Sequence, residues 1–175
     1  MKSLIRTARA TAALLLLWNC TASAEEWREA RPGTTTLQEV LSTFGKPSGR
    51  TTTEQTLTLS YSRKAAPQGT RAVTFQFSKE DELLRRIEVT PRPAPQRASI
   101  EETLGPACQQ DTPPETSCYE LAATPLNQLA LHYRTRGVEV LFERRQVLSL
   151  AYTEPQRRQL TPPPRAEAPA EQPPG

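Results

Sequence analysis

Few residues in this chain could do chemistry: there are three cysteines and one histidine. Cys108 and Cys118 sit in a loop rich in Pro, Thr and Asp. In an oxidising compartment two such thiols pair, and closing so short a loop contributes about 2 to 3 kcal/mol on the chain-entropy account. The competing reading, a metal site, needs four ligands, and neither a His nor a second Cys pair lies nearby to complete them. A disulfide is therefore expected, and no metal site. His132 would have to serve any imidazole-dependent step. No Gly-x-Ser-x-Gly elbow is present, and no Ser or Cys is placed by motif as a nucleophile. The acidic pairs Asp81-Glu82 and Glu101-Glu102 fall in a turn and a helix start, where solvation and the helix dipole account for their charge. The seven glycines are scattered and form no phosphate-binding loop. The residues thus point away from an enzyme and from any cofactor, with a small envelope hydrolase built on His132 as the alternative of a different class.

The compartment is read from the amino terminus. Lys2, Arg6 and Arg9 precede an apolar run, Ala10 to Trp18, and Ala22-Ser23-Ala24 offers small residues for cleavage, the layout of a secretory signal over 1–24. The apolar run is too short to anchor a helix across a bilayer. Cleavage after Ala24 gives a periplasmic or secreted protein. Cys20 leaves a second route open: at the end of the apolar run it occupies the place of an acylated cysteine, which would make an outer-membrane lipoprotein, although Trp18 and Asn19 are not the small residues such a site favours. Removing 1–24 takes three of the 22 basic residues and none of the 19 acidic ones, leaving a formal net charge of zero. A neutral chain of mixed sign has no footprint for a phosphate backbone. Nucleic acid is excluded as an expected partner, and contact with a membrane is expected only through a lipid at Cys20.

The elements that must position these residues recur. After a short segment over 25–33 containing Trp27, Thr36 and Glu39 form a capping box. Leu37, Val40, Leu41 and Phe44 share one helical face, and Gly45-Lys46-Pro47 ends the helix. Leu57, Leu59 and Tyr61, then Val73, Phe75 and Phe77, alternate with polar residues as half-buried strands do. Leu84, Ile87 and Val89 mark a third strand, closing a unit over 34–89. Pro91, Pro93 and Pro95 make 90–98 a connector. A second unit over 99–153 restarts at Ser99 with Glu102 three residues on. In it Ile100 and Leu104 stand where Val40 and Phe44 stood, and Leu129, Leu131 and Tyr133 repeat the spacing of Leu57, Leu59 and Tyr61. Val138, Val140 and Phe142 likewise repeat Val73, Phe75 and Phe77. Residues 154–175 are a Pro-rich tail with too little apolar surface to fold alone, read as disordered. The expected fold class is α+β: two tandem helix plus three- or four-stranded antiparallel sheet units packed as one domain, sharing a continuous sheet or a packed interface because half a chain has too small a core to stand alone.

The run Gly33, Thr35, Thr36, Glu39, Val40, Leu41, Phe44, Gly45 and Pro47, followed by Tyr61, Val73, Phe75 and Phe77, resembles the SmpA/OmlA (outer-membrane assembly lipoprotein) and beta-lactamase-inhibitor-protein-like superfamily, in two tandem copies. The resemblance implies a protein-binding module of the cell envelope that supports outer-membrane protein assembly. Its alternative is a secreted inhibitor-like protein holding an envelope or extracellular enzyme. In either case the partner is another protein, and the resemblance implies no catalytic residue. Alternation places Thr58, Ser60, Thr74, Gln76, His132, Glu139 and Leu141 on the wetter face of the strands, the candidate partner-binding face. Leu141 is the apolar exception there.

Overall fold

The computed structural model describes residues 25–124 and 128–156. The predicted signal peptide, its cleavage at Ala24, the lipidation candidate Cys20 and the tail from 157 onward lie outside the described residues. The elements in order are α1 (Leu37–Phe44), β1 (Gly49–Thr52), β2 (Thr56–Ser62), β3 (Thr70–Ser78), β4 (Leu84–Pro91), α2 (Arg97–Leu104), β5 (Glu120–Ala123), β6 (Leu129–Tyr133), β7 (Val138–Glu143) and β8 (Gln146–Tyr152).

The expected pair of tandem helix-plus-sheet units is overturned by the strand pairing. All eight strands form one antiparallel sheet in the order β1-β2-β3-β4-β8-β7-β6-β5, and the two helices are short additions to it. Neither set of four strands closes a sheet of its own. β4 and β8 pair through Ile87 with Tyr152, Glu88 with Ala151 and Val89 with Leu150. The physical reason is the edge: a four-stranded sheet ending at β4 or β8 would leave a row of backbone N–H and C=O groups unpaired. Pairing them with each other satisfies both rows in one step.

α1 forms where its sequence says it should. The Thr36 hydroxyl accepts from the Glu39 N–H while the Glu39 carboxylate accepts from the Thr36 N–H, a complete capping box. The carboxylate's hydrogen bonds from Thr36 hold its pKa below the ordinary value. Val40 is buried, and Leu37, Leu41 and Phe44 pack beside it on a core of Leu59, Tyr61, Phe75, Phe77 and Ile87. α2 begins at Arg97 rather than Ser99, has no side-chain cap, and matches α1 in length at 8 residues. Leu104, with Ile100 beside it, packs on Leu131, Tyr133, Val138, Val140, Phe142 and Leu150.

Both helices therefore cover the same side of the sheet. Tyr152 touches both cores and bridges them at the β4–β8 seam. A second bridge comes from the amino-terminal segment: Trp27 stacks on Phe44 at 5.7 Å between ring centroids. Two residues earlier, Glu25 takes a two-pronged hydrogen bond from the Arg136 guanidinium at 2.9 Å. Cys108 and Cys118 form a disulfide, with Cα atoms 4.9 Å apart.

Candidate binding surface

The side of the sheet opposite the helices is built by alternation. Every strand that buries a residue against a helix turns the next one outward. Register carries one transverse row across all eight strands: Gly49, Ser60, Thr74, Glu88, Ala151, Glu139, His132 and Glu120. At about 4.8 Å between strands the row spans roughly 34 Å. Two residues along lies a second row, in which Thr51, Thr58, Gln76 and Arg86 are paired in turn on one half. Ser149, Leu141, Ala130 and Ala122 are paired in turn on the other.

All seven residues expected on the wetter face lie on this open face, in two groups. Thr58, Ser60, Thr74 and Gln76 sit on β2 and β3, whereas His132, Glu139 and Leu141 sit on β6 and β7. Between the groups run β4 and β8, and their outward residues Arg86, Glu88, Ser149 and Ala151 were missed. The signal for two of them was present: Arg86 and Glu88 alternate with the apolar Ile87 and Val89 as the other face residues alternate with theirs. The placement of β8 beside β4 was not readable, and with it the centre of the face.

That centre is concave. A depression of about 300 Å³ is lined by Arg86, Glu88, Thr124, Gln128, Glu139, Leu141, Ser149 and Ala151. Its floor is apolar: Ala151 is buried in the sheet, and Leu141 is half-buried between Ala130 and Ser149. Its rim is charged. Arg86 lies 3.9 Å from the Glu139 carboxylate, and His132 Nδ1 lies 4.0 Å from the other oxygen of that group. Both distances exceed a hydrogen bond, so these side chains are loosely held and half-exposed, able to re-pair with an incoming group. Leu141, the apolar exception in the sequence, provides the greasy floor of a polar-rimmed hollow.

A larger depression, of about 510 Å³, lies on the helix side between the amino-terminal segment and α1. Part of its polar lining serves the fold: Arg31 pairs with Glu26, the Arg31 N–H donates to Thr35, and Glu39 caps α1, while the buried Arg31 Nε has no hydrogen-bond partner among the described residues. Among the described residues no cluster of three or more His, Cys, Asp or Glu is placed to hold a metal ion. No described helix is long and apolar enough to cross a membrane.

The arrangement defines the class: an open-faced antiparallel sheet with both helices on one side. No family model matches the chain, and no curated protein matches it. The crystal structure of a DUF4309 family protein (YjgB) from Bacillus subtilis is similar in fold, with a TM-score of 0.51 at 12% identity over 76% of this chain and 88% of that one. That likeness concerns the fold alone.

Proposed function

We propose that this protein is a binding module of the bacterial envelope, exported by its amino-terminal signal, that holds another envelope protein on the open face of its sheet in support of envelope or outer-membrane protein assembly. The observation that carries the reading is the hollow at the face's centre, an apolar floor of Leu141 and Ala151 inside a rim of Arg86, Glu88 and Glu139. Interfaces put their apolar residues at the centre and their polar ones at the rim. The motif around Gly33 to Pro47 supports the same reading through its resemblance to envelope-assembly lipoproteins, and the alternative within that resemblance is an inhibitor-like grip on an enzyme.

The test is site-specific photocrosslinking in intact cells. A crosslinker at Ser149 or Thr74 should yield one discrete adduct with an envelope protein, whereas one at Gln38, exposed on α1, should not. Leu141→Lys should abolish the adduct while leaving the fold unchanged by circular dichroism. Equal labelling from both sides of the sheet, or an adduct indifferent to Leu141→Lys, rejects the open face as the site.

A further inference from the structure

The two outer strands of the sheet are finished differently. β1 closes one side with Gly-Arg-Thr-Thr, four exposed residues without a large apolar side chain, the polar and charged edge that discourages a further strand. β5 closes the other side with Glu-Leu-Ala-Ala, and its single charge, Glu120, is already met by Arg134 Nε at 2.9 Å. On the helix side Leu121 stays exposed, as does Leu129 on the neighbouring strand. The side chains of β5 therefore do little to keep another strand away.

A piece of loop does so instead. The Tyr119 N–H donates to the Pro106 carbonyl at 3.0 Å and the Tyr119 carbonyl accepts from the Cys108 N–H at 2.9 Å, so Ala107 lies parallel to Tyr119 on the outer side of the strand. Backbone groups alternate in direction along a strand. Those of Leu121 and Ala123 point outward with Tyr119, while those of Glu120 and Ala122 face β6. Among the described residues neither Leu121 nor Ala123 has a backbone hydrogen bond on that outer side. The edge is covered at Tyr119 and open at the next two outward positions. Cys108 and Cys118, the chain neighbours of Ala107 and Tyr119, clamp the cover with their disulfide.

We infer that the disulfide-clamped segment 106–108 is an edge guard, which keeps β5 from pairing with the β5 of a second copy of this chain. Register selects a second copy as the strand excluded. An antiparallel pair centred on Leu121 sets Leu121 against Leu121, Tyr119 against Ala123 and Glu120 against Ala122, so apolar residues meet and no like charges face each other. The guard blocks that pair twice, because in each copy Ala107 holds the place opposite Tyr119 that the other copy's Ala123 would take. Length points the same way. Guarded, the edge offers only 121–123, short of the about 5 to 6 residues of a common strand; unguarded, it offers 119–123. Loss of the disulfide turns a closed edge into a self-complementary one. The hollow on the open face plays no part, so this inference stands or falls apart from the binding role proposed above.

The experiment compares the full exported protein in three forms by sedimentation and amide hydrogen exchange: unchanged, Cys108→Ser with Cys118→Ser, and that pair together with Leu121→Lys. The unchanged, oxidised protein should sediment as one chain, with the Tyr119 N–H protected and the Leu121 and Ala123 N–H groups exchanging freely. The serine variant should rise towards twice that mass as concentration increases, and should gain protection at Leu121 and Ala123. Leu121→Lys, which sets two lysines face to face at the centre of the pair, should return it to one chain. Protection of Leu121 and Ala123 in the unchanged protein, or a heavier species there, overturns the inference without any variant. A serine variant that stays a single chain overturns it too, as does a heavier species that persists with Leu121→Lys. Association accompanied by lost protection in β2 and β3 also overturns it, because general unfolding and not an opened edge would then be the cause.

Discussion

The two halves of the sheet meet the same physical problem with different means. Each must bury the helix-side face of four strands, and each ends its helix at a glycine whose carbonyl accepts from a core tyrosine: Tyr61 to Gly45 and Tyr133 to Gly105, both at 3.0 Å. In the amino-terminal half the cover is aromatic and local. Trp27, Phe44, Phe75 and Tyr61 form a chain of ring contacts with centroids 4.9 to 6.1 Å apart, and α1 brings four apolar side chains. In the carboxyl-terminal half α2 brings only Ile100 and Leu104. The rest of the cover is a polar network over Tyr119: Arg97 donates to Glu101 at 2.6 Å and to the Tyr119 hydroxyl at 2.9 Å, and its guanidinium lies 4.9 Å from the Phe142 ring centre. The hydrogen bond from Arg97 is the main reason the Glu101 carboxyl is held below its ordinary pKa. A weak apolar stripe is offset by a cross-linked loop that carries Tyr119 to the core. Cover on this half is incomplete: Leu121 and Leu129 stay 57% and 49% exposed.

The sharpest way to break the comparison is at the two cap glycines. Both have positive φ, +72° at Gly45 and +117° at Gly105, but a Cβ on Gly45 would meet nothing within 4 Å, while one on Gly105 would collide with the Ser117 carbonyl in the disulfide loop. Gly45→Ala should cost about 1 to 3 kcal/mol, the strain of a non-glycine residue at φ 72° and ψ −151°, a region open essentially to glycine alone. Gly105→Ala adds backbone displacement and should exceed roughly 4 kcal/mol, beyond the ordinary range for a point substitution. Urea denaturation of both variants checks the order, and equal losses would show that the loop yields freely at Ser117.

A smaller effect separates the two covers themselves. Cys108→Ser with Cys118→Ser should lower stability by about 2 to 3 kcal/mol through loop entropy. It should also quicken hydrogen exchange in β6 and β7 while sparing β2 and β3. Trp27→Ala should do the reverse, with a loss of about 2 to 3 kcal/mol, below that of a fully buried tryptophan because Trp27 is half-exposed. If either change loosens all eight strands equally, the sheet unfolds as one cooperative unit and the local covers do not set local stability.

How much of this was legible follows the same division. The capping box and the Leu37–Phe44 stripe named α1, and strict alternation named β2, β3 and β7 together with the outward face. β1 reads Gly-Arg-Thr-Thr and β5 reads Glu-Leu-Ala-Ala, sequences with no apolar alternation, and they are strands because a neighbour offers a paired edge. Alternation tells which way a side chain points and not which strand lies beside it. The β4–β8 seam, and with it the single sheet and the Arg86–Glu139 hollow, had no local signature. The start of α2 was misplaced at Ser99 because Ser followed by Glu three residues on imitates a cap. In the structure Ser99 lies inside the helix, where its carbonyl accepts from the Thr103 hydroxyl at 2.8 Å.

That misplaced cap yields the smallest and most local contrast between the halves. Thr36 satisfies two exposed backbone donors reciprocally with Glu39, whereas Gln96, which precedes α2, makes no side-chain cap. Thr36→Ala should therefore cost about 1 kcal/mol. Gln96→Ser, which supplies a hydroxyl at a position with the extended backbone a cap requires, φ −79° and ψ 148°, should gain a few tenths of a kcal/mol up to about 1. The two changes act on helix termini that face the same side of one sheet but rest on different cores, so their effects should add within about 0.5 kcal/mol in the double variant. A departure larger than that in thermal denaturation would mean that α1 and α2 sense each other through Tyr152, the side chain that packs against both cores.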